Sequence, residues 1–203
     1  MEYQELELKY YVHDLARIER LLIALGAICD QPRTREINLR FDTPDNSLSY
    51  AGKALRLRYD TQARLTFKGP SQSQEGIRLR EEIEFVVDNF QAAQTFLIAL
   101  GYQISIIYEK YRTTYQLNDC LLMLDELPFG NFLEIEGKDA AAIKKTAVHL
   151  HLNWDMRIKM SYLAIFYRLK EKFGLKANNL VFSEVTQTQI TTEDLLSVLS
   201  NDR

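Results

Sequence analysis

Seven short segments of this 203-residue chain alternate charged and apolar residues, and this pattern limits the possible folds more than any other feature. In the first segment, "ELELK", Glu5, Glu7 and Lys9 occupy every second position, with leucines between them. Successive side chains of a β-strand point to opposite faces of a sheet, so the alternation predicts strands with one charged and one apolar face. The apolar faces must be covered, and the amphipathic helical segments of the chain are suited to cover them.

The charged faces carry Lys, Arg and carboxylates in nearly equal numbers. The basic residues are Lys9, Arg56, Arg58, Lys68, Arg78, Arg80, Lys110 and Arg112. The acidic residues are Glu5, Glu7, Glu82, Glu84, Asp125, Glu134 and Glu136. A single strand of this kind is typical of the solvated face of an antiparallel sheet. Its repetition over seven strands favours charged faces that point toward one another, with the apolar faces outside.

The chain also contains an internal repeat in which a charged strand leads into an amphipathic helix. The segments that begin at Glu5 and Arg80 align without gaps, pair Glu7 with Glu82 and share the run "LIALG". Two copies of such a unit indicate a two-fold-like β-structure with one helix packed on each half.

Helices on the outside would leave the charged faces in the interior of a closed sheet. A barrel of eight strands is just wide enough to hold one small ligand. The predicted fold class is therefore α+β: a closed antiparallel eight-stranded β-barrel, with a pseudo-two-fold repeat and helices packed on the outside.

The residue types on the charged faces indicate what such an interior would bind. Lys and Arg in this number favour a polyanion, because guanidinium groups bind phosphate oxygens in pairs. The oxygens of Glu5, Glu7, Glu134 and Glu136 suit a hard divalent cation, Mg²⁺ or Mn²⁺, which bridges protein carboxylates and phosphate. The net charge of −3 argues against a general binder of nucleic acids or anionic membranes.

The sequence resembles the CYTH domain family of triphosphate tunnel metalloenzymes. This family includes class IV adenylyl cyclases, thiamine triphosphatases and inorganic triphosphatases. The run "ELELK" matches the family's ExExK signature. Further segments follow in the family's order: "RFDTPDNSL", "LRLR", "FKGP", "RLREEIE", "EKYRTTY", "LDELPFGNFLEIEG" and "SYLAIF". The resemblance covers roughly residues 2–172 and implies a tunnel domain over residues 1–172.

The resemblance implies roles for individual residues. The metal ligands would be Glu5, Glu7, Glu134 and Glu136, and the other tunnel carboxylates Glu82, Glu84 and Asp125. The residues that bind the triphosphate would be Lys9, Arg56, Arg58, Lys68, Arg78, Arg80, Lys110, Arg112 and Lys159. Lys159 is included because a basic residue often reaches in from just before the "SY" of the last helix, a position that Arg157 would also suit. Lys9, Arg56 and Arg58 would be catalytic.

Three functions are compatible with these residues. The first is metal-dependent hydrolysis of inorganic tripolyphosphate, a nucleoside triphosphate or thiamine triphosphate. The alternative is a class IV adenylyl cyclase that converts ATP to cyclic AMP and pyrophosphate, and a third possibility is a polyphosphate or nucleotide sensor without turnover. Hydrolysis is favoured because it requires only the triphosphate site, whereas cyclisation also requires a base pocket that no motif reveals.

The remaining expectations concern the ends and surroundings of this domain. Residues 173–203 carry no recognisable motif and are expected to form a short helix or a loosely packed extension. No signal peptide or membrane-spanning run is present, which predicts a cytoplasmic protein. The expected partner is a small-molecule triphosphate, with neither nucleic acid nor membrane. An uncovered apolar strand face would allow a homodimer.

Overall fold

The computed structural model describes residues 4–74, 77–185 and 190–200. The strands are β1 (Gln4–Tyr11), β2 (Ile28–Asp42), β3 (Ala54–Tyr59), β4 (Ala63–Lys68), β5 (Gln72–Gln74), β6 (Ile77–Val87), β7 (Gln103–Leu117), β8 (Cys120–Leu127) and β9 (Gly130–Gly137). The helices are α1 (Leu15–Ala24), α2 (Ser47–Tyr50), α3 (Phe90–Ala99), α4 (Ala140–His149), α5 (Tyr162–Phe173) and α6 (Thr192–Leu199), with a 3₁₀ turn at Trp154–Met156.

Eight of the strands form a closed antiparallel barrel. Their order is β1-β9-β8-β7-β2-β3-β4-β6, and β6 pairs with β1 to close the sheet. The short strand β5 pairs with β6 and lies outside the barrel. Because side chains alternate along each strand, closure collects one face of every strand in the lumen. The expected fold class is confirmed.

The internal repeat is visible in the barrel. Strands β2 and β7 each have 15 residues, and their first residues, Ile28 and Gln103, are 75 positions apart, as are Glu7 and Glu82. Helices α1 and α3 follow β1 and β6, and each is capped by a side chain that accepts a backbone N–H three residues later. Strands β1 and β6 pair where Glu5 lies opposite Arg80, its own counterpart in the repeat. The two halves therefore meet around a pseudo-two-fold axis at this pair.

Helices cover much of the outer, apolar face of the barrel. Leu22 of α1 and Leu97 of α3 occupy the same position in "LIALG", and both are buried against the sheet. Coverage is incomplete on β6, where Ile83 and Phe85 are 41% and 53% exposed. The homodimer expected from an uncovered strand face stays a prediction. No helix within the described ranges is long and apolar enough to cross a membrane.

The segment after residue 173 packs against the barrel. The amide of Leu180 donates to the Ile107 carbonyl at 3.0 Å, and the amide of Glu109 donates to the Leu180 carbonyl at 2.9 Å. These bonds extend the sheet along the part of β7 that β8, which begins to pair at Tyr111, leaves open. Several apolar side chains of the segment are buried: Leu180, Val185, Ile190, Leu195 and Val198. Its described part contains the short helix α6 and an isolated bridge between Leu180 and Tyr108 of β7.

Candidate functional site

The barrel lumen contains a cavity of about 510 Å³ that is lined by side chains from all eight strands. Every residue that the sequence assigned to the site lines this cavity, except Asp125 and Lys159. Asp125 has no exposed surface, because the lumen side chains of Lys110, Arg112 and Tyr162 bind and cover it. Lys159 is exposed and lines a smaller, adjacent cavity of about 150 Å³, where its backbone carbonyl accepts a hydrogen bond from Arg78.

One part of the lumen is rich in carboxylates. The Lys68 ammonium group contacts Glu5 at 2.6 Å and Glu82 at 2.9 Å. Burial, together with the charges of Glu5 and Glu82, raises the pKa of the third carboxyl group, Glu136, to about 7. Burial also raises the pKa of Glu5, although Lys68 opposes the shift. One ammonium group therefore leaves three carboxylates incompletely neutralised.

This carboxylate group fits a hard divalent cation by its chemistry. Mg²⁺ and Mn²⁺ prefer carboxylate oxygens, and a second positive charge would offset the repulsion that raises the pKa of Glu136. The side chains are not arranged around an ion as they stand. Within the described residues, no three acidic, histidine or cysteine side chains form a set that could hold a metal. Two of the predicted metal ligands bind basic side chains of the protein instead. Glu5 binds Lys68, and Glu7 contacts Arg78 at 3.3 Å.

Glu134 lies in a different, cationic part of the lumen. It contacts the Lys9 ammonium group at 2.7 Å and also binds Arg112. Burial opposes ionisation of Glu134, but Lys9, Arg112 and Lys110 hold the pKa of its carboxyl well below the usual range. The structure thus separates Glu134 from Glu5, Glu82 and Glu136 by giving it cationic partners.

Asp125 anchors the cations of this part of the lumen. Its carboxylate accepts hydrogen bonds from Lys110 at 3.0 Å, from Arg112 at 2.6 Å and from the Tyr162 hydroxyl at 2.8 Å. The Tyr162 ring lies under the Lys9 ammonium group, 4.3 Å from the nitrogen to the ring centroid. The side chains of Lys9, Lys110 and Arg112 are therefore held in place before any ligand arrives.

Arg56 and Arg58 of β3 occupy a third part of the wall. Arg58 donates to Glu84 at 2.9 Å, and Arg56 contacts the same carboxylate at 3.4 Å. Arg56 also donates to the Thr66 hydroxyl and to the hydroxyl of Tyr108. Burial opposes ionisation of Tyr108, but Arg56, followed by Lys110, lowers its pKa.

The structure adds lumen residues that the sequence analysis missed. Glu36 and Arg40 of β2 face the cavity, as do Tyr108 of β7 and Tyr162 of α5. Asn38, between the first two, is fully buried, and neither polar atom of its side chain has a hydrogen-bond partner among the described residues. The alternation in "EINLRF" was sufficient to find Glu36 and Arg40. Tyr162 follows the last strand on a helix, so strand alternation provides no signal for it.

A family model for the CYTH domain matches residues 3–160 of this chain. No curated protein matches the chain significantly. The fold is similar to that of a candidate adenylate cyclase from Vibrio parahaemolyticus, at 24% identity and a TM-score of 0.72 over 82% of this chain and 99% of that chain.

Two further solved structures have the same fold. A protein from Pyrococcus horikoshii is 24% identical, with a TM-score of 0.67 over 79% of this chain and 98% of that chain. A protein from Hippeastrum, described as a candidate adenylyl cyclase with a dominant triphosphatase activity, is 20% identical. Its TM-score is 0.61 over 81% of this chain and 95% of that chain.

Proposed function

Because this chain belongs to the CYTH domain family, we propose that it hydrolyses a triphosphate bound in the barrel lumen together with Mg²⁺ or Mn²⁺. The observation that carries the proposal is the cavity of about 510 Å³, where basic side chains from several strands converge beside a group of carboxylates. The substrate would be inorganic tripolyphosphate, a nucleoside triphosphate or thiamine triphosphate. Phosphoryl transfer requires mainly positioning and charge neutralisation, which this wall supports.

Substrate binding would exchange ion-pair partners inside the lumen. Lys9 now neutralises Glu134, and Lys68 neutralises Glu5 and Glu82. Phosphate oxygens would take over these ammonium groups, which leaves the carboxylates free for a divalent cation. Triphosphate and metal would then bind more tightly together than separately. The triphosphate binds the ammonium groups and so frees the carboxylates for the metal, and the metal binds the carboxylates and so frees the ammonium groups for the triphosphate.

The carboxylates best placed to hold the cation are Glu5 and Glu136, with Glu82 or Glu7 beside them. Glu134 also stays a predicted ligand, although releasing it requires Lys9 and Arg112 to bind phosphate first. When bound, the cation would neutralise phosphate charge and polarise the phosphoryl group.

Lys9, Arg56 and Arg58 are the proposed catalytic residues. Lys9 is fixed between Glu134 and the Tyr162 ring, so its charge acts at one place in the lumen. The guanidinium groups of Arg56 and Arg58 stand side by side on β3 and would bind oxygens of the transferred or leaving phosphate. Charge held in place before the reaction stabilises the transition state without reorganisation.

An adenylyl cyclase activity is the alternative, because cyclisation of ATP requires the same hold on a metal and a triphosphate. The Hippeastrum protein, which shares the fold, is described as having a dominant triphosphatase activity, and this supports hydrolysis as the first proposal. A sensor that binds without turnover is the third possibility.

Phosphorus NMR of tripolyphosphate, ATP and thiamine triphosphate, each incubated with the protein and Mg²⁺ or Mn²⁺, separates these functions. Release of orthophosphate supports hydrolysis, cyclic AMP with pyrophosphate supports the cyclase, and binding without products supports the sensor. The double variant Glu5→Gln with Glu7→Gln is expected to lose metal-dependent turnover. Glu81→Gln, on the outer face of β6, is the matched control. Undiminished turnover in the double variant would show that the metal site is wrongly assigned.

A further inference from the structure

Two sides of the barrel that the internal repeat makes equivalent differ in how their outer faces are covered. On each side, four outward apolar side chains form two cross-strand pairs: Leu8 with Ile135 and Tyr10 with Leu133 on β1 and β9, and Ile83 with Phe67 and Phe85 with Leu65 on β6 and β4. The two sets correspond, because Ile83 follows Leu8 by 75 positions, which is the offset of the internal repeat. One surface of the protein can therefore be compared with its counterpart in the same chain.

Helix α4 covers the outer face of β1 and β9. It packs on β9, β1 and β8, and its residues Ile143 and Ala147 belong to the same buried cluster as Leu8 and Tyr10. Leu8 and Tyr10 are therefore only 3% and 2% exposed. This burial is favourable because it removes apolar surface from water.

No counterpart of α4 follows β4 in the described residues. Residues 69–76 alone join β4 to β6, and their described part contains β5 but no helix. Ile83 and Phe85 are 41% and 53% exposed, whereas their counterparts on β1 are buried. The same arrangement of apolar side chains is thus covered on one side of the barrel and exposed to water on the other.

Helix α3 extends this exposed surface. Leu65 packs in the same cluster as Leu97 of α3, so the helix adjoins β4. Phe96 of α3 is 62% exposed, whereas its counterpart Leu21 is partly buried against the cluster that contains α4. Leu100, one turn after Phe96, is also exposed. We call this surface the open face, and it consists of Leu65, Phe67, Ile83, Phe85, Phe96 and Leu100.

Helix α3 also lacks the charges of a solvated helix. Its counterpart α1 carries three charged residues, and the equivalent positions of α3 are uncharged: Arg17, Glu19 and Arg20 correspond to Ala92, Gln94 and Thr95. Over its whole length, Phe90–Ala99, α3 has no charged residue. A surface helix usually has charged and polar residues on its outer face, and a helix that is apolar all round is usually buried. The composition of α3 therefore indicates that a partner covers it.

We propose that the open face is the interface of a homodimer, in which it packs against the open face of a second copy. A partner at this surface must itself be apolar and uncharged, because the open face offers no charge for pairing. The open face meets that requirement, and a two-fold axis brings two identical surfaces together. Glu81, the outward residue of β6 next to Ile83, lies at the edge of the open face, as charged side chains do at the rim of an interface.

The area of the open face suits a dimer interface of standard size. More than half of Phe85 and of Phe96 is exposed, which is about 100 Å² for each residue. With the exposed parts of Ile83 and Leu100, the open face presents roughly 400 Å² of apolar surface per copy, an extent that is often functional. An interface that buries about 800 Å² per partner is a little more than half apolar, or about 450 Å². The open face therefore supplies most of the apolar part of such an interface.

Sedimentation velocity of the full chain over a series of protein concentrations tests the interface independently of the proposed function. Wild-type protein is expected to form dimers in the micromolar range. Phe85→Glu and Phe96→Glu are each expected to raise the dimer dissociation constant by about 100-fold or more, because each places an unpaired charge of the same sign on both copies. Ile23→Glu is the matched control, since Ile23 is an exposed apolar residue of the equivalent helix α1, and it should leave the dimer unchanged.

Thermal unfolding followed by circular dichroism, at a concentration below the dissociation constant, shows whether each variant is folded. Because Phe85 and Phe96 are exposed in the single chain, both variants are expected to unfold there at about the same temperature as wild type. Phe96→Glu, on the surface of a helix, tests the interface even if the strand variant Phe85→Glu folds poorly.

Wild-type protein that stays monomeric over the whole series would overturn the proposal and leave the open face to a different protein. A dimer that persists unchanged in the folded glutamate variants, or that Ile23→Glu weakens equally, would place the interface elsewhere and also overturn it.

Discussion

Replacement of Glu36 by glutamine is expected to lower the free energy of unfolding by roughly 3 kcal/mol at neutral pH. Glu36 is 1% exposed, and its carboxylate oxygens lie 3.5 Å from Lys110, 3.7 Å from Arg58 and 3.9 Å from Arg112. Burial alone would raise the pKa of Glu36, but Lys110, Arg112 and Arg58 lower it from 4.5 to about 2. Each pKa unit corresponds to about 1.4 kcal/mol, and a side chain this buried needs no correction for solvent screening.

The effect should depend on pH in one direction. Because the pKa of Glu36 is lower in the folded protein, its contribution is complete above the unfolded value of 4.5 and is lost as the pH falls toward 2. The difference in stability between wild type and Glu36→Gln should therefore be constant near neutrality. It should shrink as the pH falls below the unfolded value, because the unfolded carboxyl then takes up a proton while the native one stays ionised.

Urea unfolding followed by circular dichroism, from neutral pH down to about pH 3, measures this difference. Glu126→Gln is a suitable control, since Glu126 pairs with Arg33 at 2.7 Å on the surface, where the side chains are 33% and 53% exposed. The control should cost less than about 1 kcal/mol. If Glu36→Gln costs no more than the control, or if its cost is independent of pH, the buried charge network does not stabilise the barrel as argued.

Three further substitutions test other parts of the molecule. Lys9→Met should keep the fold, as judged by circular dichroism, but lower kcat for triphosphate hydrolysis by about 100-fold or more; unchanged kcat would remove Lys9 from the catalytic set. Tyr162→Phe removes a hydroxyl that donates to Asp125 at 2.8 Å but keeps the ring under Lys9, so urea unfolding should show a loss of about 1–2 kcal/mol. The same variant should retain most turnover, and a loss as large as that of Lys9→Met would contradict the ring's supporting role. Leu180→Ala should lower the free energy of unfolding by about 2–5 kcal/mol because Leu180 is fully buried. The control Leu196→Ala, at a position 39% exposed, should lower it by less than about 1 kcal/mol. Equal losses in the two variants would mean that the C-terminal segment is not packed.

The strand pattern was sufficient to predict which side chains face the lumen on most strands. The alternation in "LRLR" places Leu57 fully buried on the outside and Arg56 in the cavity, as predicted. The repeat of "LIALG" likewise predicted that Leu22 and Leu97 have equivalent places on two helices. These features are local, since side-chain direction along a strand or helix depends on nearby backbone geometry alone.

Two further features were not predicted. The charged residues of β2 carry a strand pattern that the prediction overlooked, whereas the packing of the C-terminal segment has no local pattern. Glu36 and Arg40 follow the period of two, but the neutral Asn38 lies between them, so alternation of charge alone does not mark β2 as a strand with a charged face. The C-terminal segment was expected to be a short helix or a loose extension because it lacks a motif. Its burial depends on contacts with β7, which join residues far apart in the chain and leave no local sequence signal.

The sequence by itself determined that charges of both signs would line one interior, because alternation is a property of each strand alone. Only the tertiary structure decided which charges would meet. Lys9 lies opposite Glu134, and Lys68 lies opposite Glu82 and reaches Glu5, because of strand order, register and closure of the sheet. Those relations join residues far apart in the chain, and no local pattern encodes them. The same relations left Arg40 and Arg80 without carboxylate partners among the described residues.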